Sequence, residues 1–386
     1  MLQRHVQKLI EDYIKGDSRK IFFIWGPRRS GKTTILKDIA SKLSVPVFNF
    51  DLLSERELFV PSRDALGKIA LEHKVILIDE VQNYPESTVA LKILYDEFNV
   101  KIIATGSSEL QQKTANFDTL AGRFMESYCL PFSIDEIDQN SNLKEYEKYN
   151  FYEKIAYQLQ VFGTYPEVYA NNVLSESEKI DLLQNILDTY VLKDIINIYD
   201  LKNEKLAKDI LTKIALQIGS EVSVREIAGS LGANAVTVSN YIEIFIKNYI
   251  LIPLPSFKTN IRKAVSENRK LYFYDLGIRN ILVKDFRDLE LRPDKGGVFE
   301  NFIVSEIEKK RKNTHAKQSM YFYREYGGQE VDLVLEDYKK QYTCIEMKVD
   351  ERRTGKDIFP LANSFAIINT QNYFKEITKL FIKKIT

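Results

Sequence analysis

The chain has 386 residues, 44% hydrophobic and 28% charged, with 55 Lys and Arg against 54 Asp and Glu and a formal net charge of +1. That length exceeds one ordinary domain, and the balance excludes a disordered, collagen-like or uniformly basic chain, so any contact with nucleic acid must come from a local patch. No signal peptide and no run of 18 apolar residues is seen, which leads us to expect a cytosolic protein without a membrane partner.

Leu2, Val6, Leu9, Ile10, Tyr13 and Ile14 recur at helical spacing and predict a first helix packed on the domain that follows. Ile21–Trp25 then reads as a buried strand running into Gly26-Pro27-Arg28-Arg29-Ser30-Gly31-Lys32-Thr33, and Thr34–Leu43 as a helix. Strand, glycine loop and helix in that order make a phosphate cradle. The glycines let backbone N–H groups turn inward, and the helix adds the positive end of its dipole. Gly26 through Thr34 are therefore expected to hold the phosphates of ATP, with Lys32 reaching the terminal ones and the Thr33 hydroxyl ligating Mg²⁺. Val45–Phe50 reads as a second buried strand. In Val75–Glu80 an aliphatic run ends in two carboxylates, Asp79 to hold the Mg²⁺ and Glu80 to orient or deprotonate the attacking water. A further strand, Val100–Gly106, ends in hydroxyls up to Ser108. Thr105 or Ser107 can meet the γ-phosphate or the water, or simply cap a turn. Arg123, in Leu120–Phe124, is a candidate stabiliser of phosphoryl-transfer charge, in cis or from a neighbouring subunit of a homo-oligomer, or an ordinary surface arginine.

Gly26–Thr33, Asp79-Glu80, the Thr105–Ser107 strand end and the Leu120–Ser133 stretch resemble the AAA+-type P-loop ATPases of prokaryotes that carry an uncharacterised nuclease-like C-terminal domain. The resemblance covers most of the chain. It implies a five-stranded parallel sheet with the phosphate-loop strand near its centre, and it adds weight to Arg123.

Residues 135–204 carry apolar helical patterns and read as a helical connector, interrupted at Phe162–Glu167 by Gly and Pro. In 205–262, Ser223 with Glu226 has capping-box spacing, Leu231–Asn234 is a glycine turn, and Ala235–Asn248 is helical. With the extended Tyr249–Leu254, this order resembles a winged helix-turn-helix. Asn234, Thr237, Ser239 and Asn240 would then face a DNA groove. Phe257–Lys270 holds Lys258, Arg262, Lys263, Arg269 and Lys270 against Glu267 alone, a candidate phosphate-contacting patch. A protein-docking role is the other reading of this segment.

Residues 263–386 hold a second constellation. Val298–Ile307 is a helix carrying Glu300, and Glu330–Leu335 and Cys344–Val349 alternate as strands. Alternation puts Glu346 and Lys348 on one face, with Asp332 on the neighbouring strand. Asp332 and Glu346 can pair on a divalent cation, Glu300 can approach from the helix, and Lys348 can help activate water against a phosphodiester. The order resembles the PD-(D/E)XK nuclease fold. Tyr323, Arg324 and Gln329 lie beside it, and Asp275 is expected to cap a turn. Cys129 and Cys344 read as separate buried thiols.

The expected architecture is α/β, with a P-loop NTPase parallel sheet (1–134), the connector (135–204), a winged helix-turn-helix (205–262) and a C-terminal PD-(D/E)XK-like α/β domain (263–386). The expected function is Mg²⁺-dependent ATP hydrolysis coupled to DNA binding or processing. The alternative is an ATP-dependent switch or scaffold whose nuclease-like fold only binds DNA or a protein.

Overall fold

All five residues of Ile21–Trp25 (β1) are buried, which is why the run is uniformly apolar instead of alternating: it is covered on both faces. With Val47–Asn49 (β2), Val75–Asp79 (β3), Lys101–Gly106 (β4) and Phe124–Tyr128 (β5) it forms a parallel sheet in the order β2-β3-β4-β1-β5. The expected parallel sheet is present, but β4 occupies its middle and β1 lies next to the edge. The computed structural model describes residues 2–107, 117–171, 173–195, 203–257, 269–325, 328–350 and 358–381. Ser108, and Lys258, Arg262, Lys263 and Glu267 of the basic stretch, lie outside them.

The chain divides into two units, Met1–Phe132 and Ser133–Thr386. In the first, helix α1 (His5–Lys15) lays Val6, Ile10 and Tyr13 against Phe22 and Ile24 of β1, and helix α2 (Lys32–Leu43) adds Ile35, Leu36 and Ile39 to the same core. Among the described residues no helix is long and apolar enough to cross a membrane.

In the second unit one apolar core runs from Val161 to Leu282. It draws on the helices Glu176–Ile186, Glu204–Leu216, Val224–Leu231, Ala235–Lys247 and Leu276–Val283, so it crosses both expected boundaries, at 204/205 and at 262/263. Glu221–Val222 (β6), Leu251–Pro255 (β7) and Arg269–Phe273 (β8) form an antiparallel sheet in the order β6-β8-β7. Leu271 and Phe273 of β8 belong to the helical core, which ties this strand to the preceding segment and not only to the C-terminal one. Ser319–Arg324 (β9), Glu330–Glu336 (β10), Tyr342–Lys348 (β11) and Ser364–Asn369 (β12) form a second sheet, order β12-β11-β10-β9, with only β11 and β12 parallel.

Asp275 does cap. Its carboxylate accepts from Ile278 N at 3.2 Å at the start of Leu276–Val283, and also from Thr164 N at 2.6 Å. A Cβ on Gly163 would lie 2.1 Å from that carboxylate, and one on Gly277 would lie 2.4 Å from the Phe162 carbonyl oxygen. The Phe162–Thr164 turn is thus a glycine-limited clasp, which gives the sequence break there a packing role.

Candidate functional site

The loop leaves β1 at Gly26, where a Cβ would come within 2.0 Å of the Cys129 carbonyl oxygen; no side chain fits. Gly31 opens α2 at φ +101°, and Arg29 is held in the left-handed region at φ +60°, where a non-glycine residue costs about 1 kcal/mol or more. The helix N-terminus therefore starts at the loop's final turn. Lys32 is buried and donates from Nζ to the carbonyls of Gly26 and Pro27, each at 2.8 Å, while Ser30 Oγ donates to Pro27 at 2.8 Å. Burial holds the Lys32 ammonium below its ordinary range, and the charges of Glu80 and Asp79 oppose the shift, so the three groups share one electrostatic neighbourhood. Arg28 and Thr33 are half-buried, and Arg29 and Thr34 are exposed.

The far wall comes from the carboxyl ends of β3 and β4, where parallel sheets bind ligands. Asp79 is buried and accepts from the Thr105 hydroxyl, whose oxygen accepts in turn from Glu80 N at 3.3 Å. Thr105, one of the two hydroxyls read as meeting phosphate or water or capping a turn, positions Asp79. Ser107 Oγ is buried and has no partner among the described residues, which leaves it as the hydroxyl available at that strand end. Glu80 stands at φ +55°, ψ +48°, another non-glycine residue in the left-handed region, and its Oε2 accepts from Gln82 Nε2. Sequence reasoning missed Gln82.

Arg123 is a correction. Its guanidinium pairs with Asp96 (Nε–Oδ1 2.9 Å, Nη2–Oδ2 3.2 Å), and its carbonyl accepts from Ile21 N at 2.9 Å. It therefore stands where β1 and β5 begin, whereas the phosphate loop follows the end of β1. Five strand residues at roughly 3.3 Å each separate the two ends. A role in cis is removed.

In the second unit, Glu300 on the helix Lys295–Asn313 accepts from Lys270 Nζ at 2.9 Å and from the Tyr272 hydroxyl. Lys270 also pairs with Glu330, which Arg324 Nη2 approaches at 2.5 Å. One oxygen each from Glu300, Glu330 and Asp332 lie within 4.8 Å of one another. Asp332 accepts from Met347 N at 2.7 Å, and Lys348 Nζ lies 2.6 Å from Glu346 and 3.7 Å from Asp332. Glu346 lies outside the trio; Lys348 bridges it to Asp332, and the charges of Asp332 and Glu330 act on it. A bulge in β10 between Val331 and Val334 brings both those valines onto one core, which a regular strand would not do, and re-aims the residues between them. Burial raises the pKa of Glu300, Asp332 and Glu346, with Lys270 or Lys348 pulling the other way.

Lys270 is a second correction. It is 1% exposed, and its neighbour Arg269 pairs with Glu243 at 2.7 Å, so neither described member of the basic stretch is a free phosphate contact. Sequence reasoning missed Glu330, Lys270 and Tyr272 as members of this centre. The signal was there: Glu330 and Asp332 are two apart on one strand, as are Lys270 and Tyr272.

Of the proposed groove residues, Asn234 and Asn240 are exposed and Thr237 and Ser239 half-buried; Asn234 spends its Oδ1 on capping its own helix at Val236 N, 2.8 Å away. Tyr323 packs on Phe359 with ring centroids 5.0 Å apart, and Gln329 is exposed. Cys129 and Cys344 are buried, and neither is in a disulfide.

Residues 18–138 match the family model of an AAA domain, and 153–290 and 295–375 match two domains of unknown function, DUF8612 and DUF4143. An uncharacterized protein of Methanocaldococcus jannaschii is 26% identical over 89% of this chain and 78% of its own length. One from Haemophilus influenzae is 25% identical over 72% of each chain. Among solved structures, the Orc1 protein of Aeropyrum pernix in complex with DNA is similar at TM-score 0.29, with 13% identity over 73% of this chain and 91% of that one. The RuvB Holliday junction branch migration motor of Thermotoga maritima is similar at TM-score 0.31, with 17% identity over 66% and 90%. The first unit thus carries an AAA-type, ATPase-like domain on a five-stranded parallel sheet.

Proposed function

We propose that this chain is a Mg²⁺-dependent ATPase whose turnover controls DNA binding or processing by its second unit. The observation that carries the proposal is the gathering of Lys32, Asp79 and Glu80 around a glycine-limited loop at the ligand end of a parallel sheet. The hard oxygen donors Thr33 and Asp79 suit Mg²⁺, which when bound neutralises phosphate charge. Lys32 exchanges its two carbonyl partners for the terminal phosphates. Glu80 accepts a proton from water as the water oxygen bonds to the γ-phosphorus and the bond to the bridging oxygen breaks. Thr105 fixes Asp79 in its rotamer, and Gln82 fixes Glu80.

In the second unit we read the helices Val224–Leu231 and Ala235–Lys247 with β6–β8 as a winged helix, and the carboxylate centre as a PD-(D/E)XK-like site. Glu300, Glu330 and Asp332 would hold a divalent cation, a Lewis acid for phosphodiester hydrolysis. Lys348, held between Glu346 and Asp332, would hold the attacking water or the developing charge. One observation favours the other reading, a switch with an inert nuclease-like fold: Lys270 already stands against Glu300 and Glu330 as their counter-charge.

Linear and plasmid DNA incubated with Mg²⁺ or Mn²⁺, with and without ATP, separates the two. Cleavage by the wild-type chain that is lost in Glu346→Ala and Lys348→Ala supports the nuclease reading. Salt-dependent DNA binding without cleavage above those variants moves the assignment to the switch.

A further inference from the structure

The AAA-domain match begins at residue 18, yet a residue before it grips the phosphate loop. Arg4, at the start of α1, is 4% exposed. Its Nη1 donates to the Ser30 carbonyl at 2.8 Å, its Nη2 donates to the Leu130 carbonyl, and its guanidinium carbon lies 4.2 Å from the centroid of the Phe132 ring. One planar fork therefore ties α1, the phosphate loop and the chain leaving β5. A lysine could not do the same, because its donors radiate from one point.

Two kinds of bond at the loop can be told apart. Lys32 to Gly26 and Pro27, and Ser30 Oγ to Pro27, lie within the loop. Those of Lys32 must break when it turns to phosphate. Arg4, together with the Cys129 thiol 3.3 Å from the same Ser30 carbonyl, braces the loop from outside and makes no demand on the atoms a ligand needs. Arg29 and Gly31, on either side of Ser30, both hold positive φ, so the brace is fastened at the strained part of the turn.

We propose that Arg4 is a positioning residue for nucleotide binding, keeping the phosphate loop in its receptive shape while Lys32 changes partners. The proposal rests on the nucleotide-binding reading of the loop. The full chain and its Arg4→Lys and Arg4→Ala variants, titrated with a fluorescent Mg-ATP analogue and assayed for turnover, test it. Arg4→Lys should weaken nucleotide Kd about tenfold, the scale of a lost hydrogen bond to a charged donor, with kcat at saturation nearly unchanged. Arg4→Ala should lose more, and millimolar guanidinium should recover part of it. Unchanged Kd in a folded Arg4→Lys protein, with only a lower Tm in the absence of nucleotide, would overturn the proposal and leave Arg4 a structural residue. A wild-type chain that binds no Mg-ATP would instead remove the nucleotide reading on which it rests.

Discussion

Each unit sets a buried lysine against oxygen atoms, and the kind of oxygen separates the two sites. Lys32 faces neutral backbone carbonyls, and its pKa is pushed down because burial outweighs the carboxylates nearby. Lys270 faces Glu300 and Glu330, and its pKa goes up because those charges outweigh a burial that alone would lower it. Exchanging carbonyls for phosphates gives Lys32 charged partners in place of neutral ones, a gain. Drawing Lys270 away leaves Glu300 without a cation among the described residues and Glu330 with Arg324 alone, a loss unless another cation replaces it. The first site is poised for a ligand; the second is internally satisfied.

The largest effects should come from breaking the poised site. Lys32→Ala and Glu80→Gln should each lower ATP turnover by about 10²-fold or more, with Glu80→Gln still binding Mg-ATP in a nucleotide titration. Full activity in either variant contradicts the assignment.

Next in size is the pairing of Lys270 with Glu300 and Glu330. Lys270→Met leaves Glu300 with the Tyr272 hydroxyl but no cation among the described residues, and Glu330 with Arg324 alone, and should cost about 3–5 kcal/mol, seen as a lower urea midpoint for the unfolding transition that reports the second unit. Mn²⁺ should restore part of that loss if the carboxylates accept a cation. The pH dependence has a definite sign. Lys270 and Tyr272 both titrate higher in the folded chain than their ordinary values, the tyrosine through burial and then Glu300. Their contribution is whole below about pH 10 and is lost as pH rises through the folded values. Lys270→Met should flatten that alkaline limb.

The smallest change is expected from Arg123→Ala, which removes the pair with Asp96 and a hydrogen bond to the Thr119 carbonyl. Turnover by dilute protein should change far less than the about 10³-fold that a charge-stabilising arginine supplies. A loss of that size appearing only at concentrations where the chain self-associates would assign Arg123 to a neighbouring subunit's site.

Much of the first site was legible because its parts are neighbours in the chain. Gly26–Thr33 is one contiguous stretch from the end of β1 into the first residues of α2, and Asp79-Glu80 ends an apolar run whose uniform character already implied a strand covered on both faces. Arg123 misled on a point topology settles: it precedes β5 in a parallel sheet, so it belongs to the end opposite the loop. Lys270 misled because its neighbours Arg269 and Lys258–Lys263 made it look like part of a surface patch, while the alternation of Lys270 and Tyr272 against Leu271 and Phe273 went unread.

By itself, the sequence determined what depends on near neighbours: the phosphate loop, the apolar strands, the helix caps, and the pairing of Glu346 with Lys348 on one strand face. Such features follow from backbone conformation and periodicity over a few residues. Only the tertiary structure decided that β8 lends Lys270 and Tyr272 to a carboxylate centre about 30 residues on, where Glu300 lies, and that Arg4 reaches across to the Ser30 carbonyl. Those contacts join segments whose separation along the chain carries no information about their separation in space, and burial then sets the charge state of the groups they bring together.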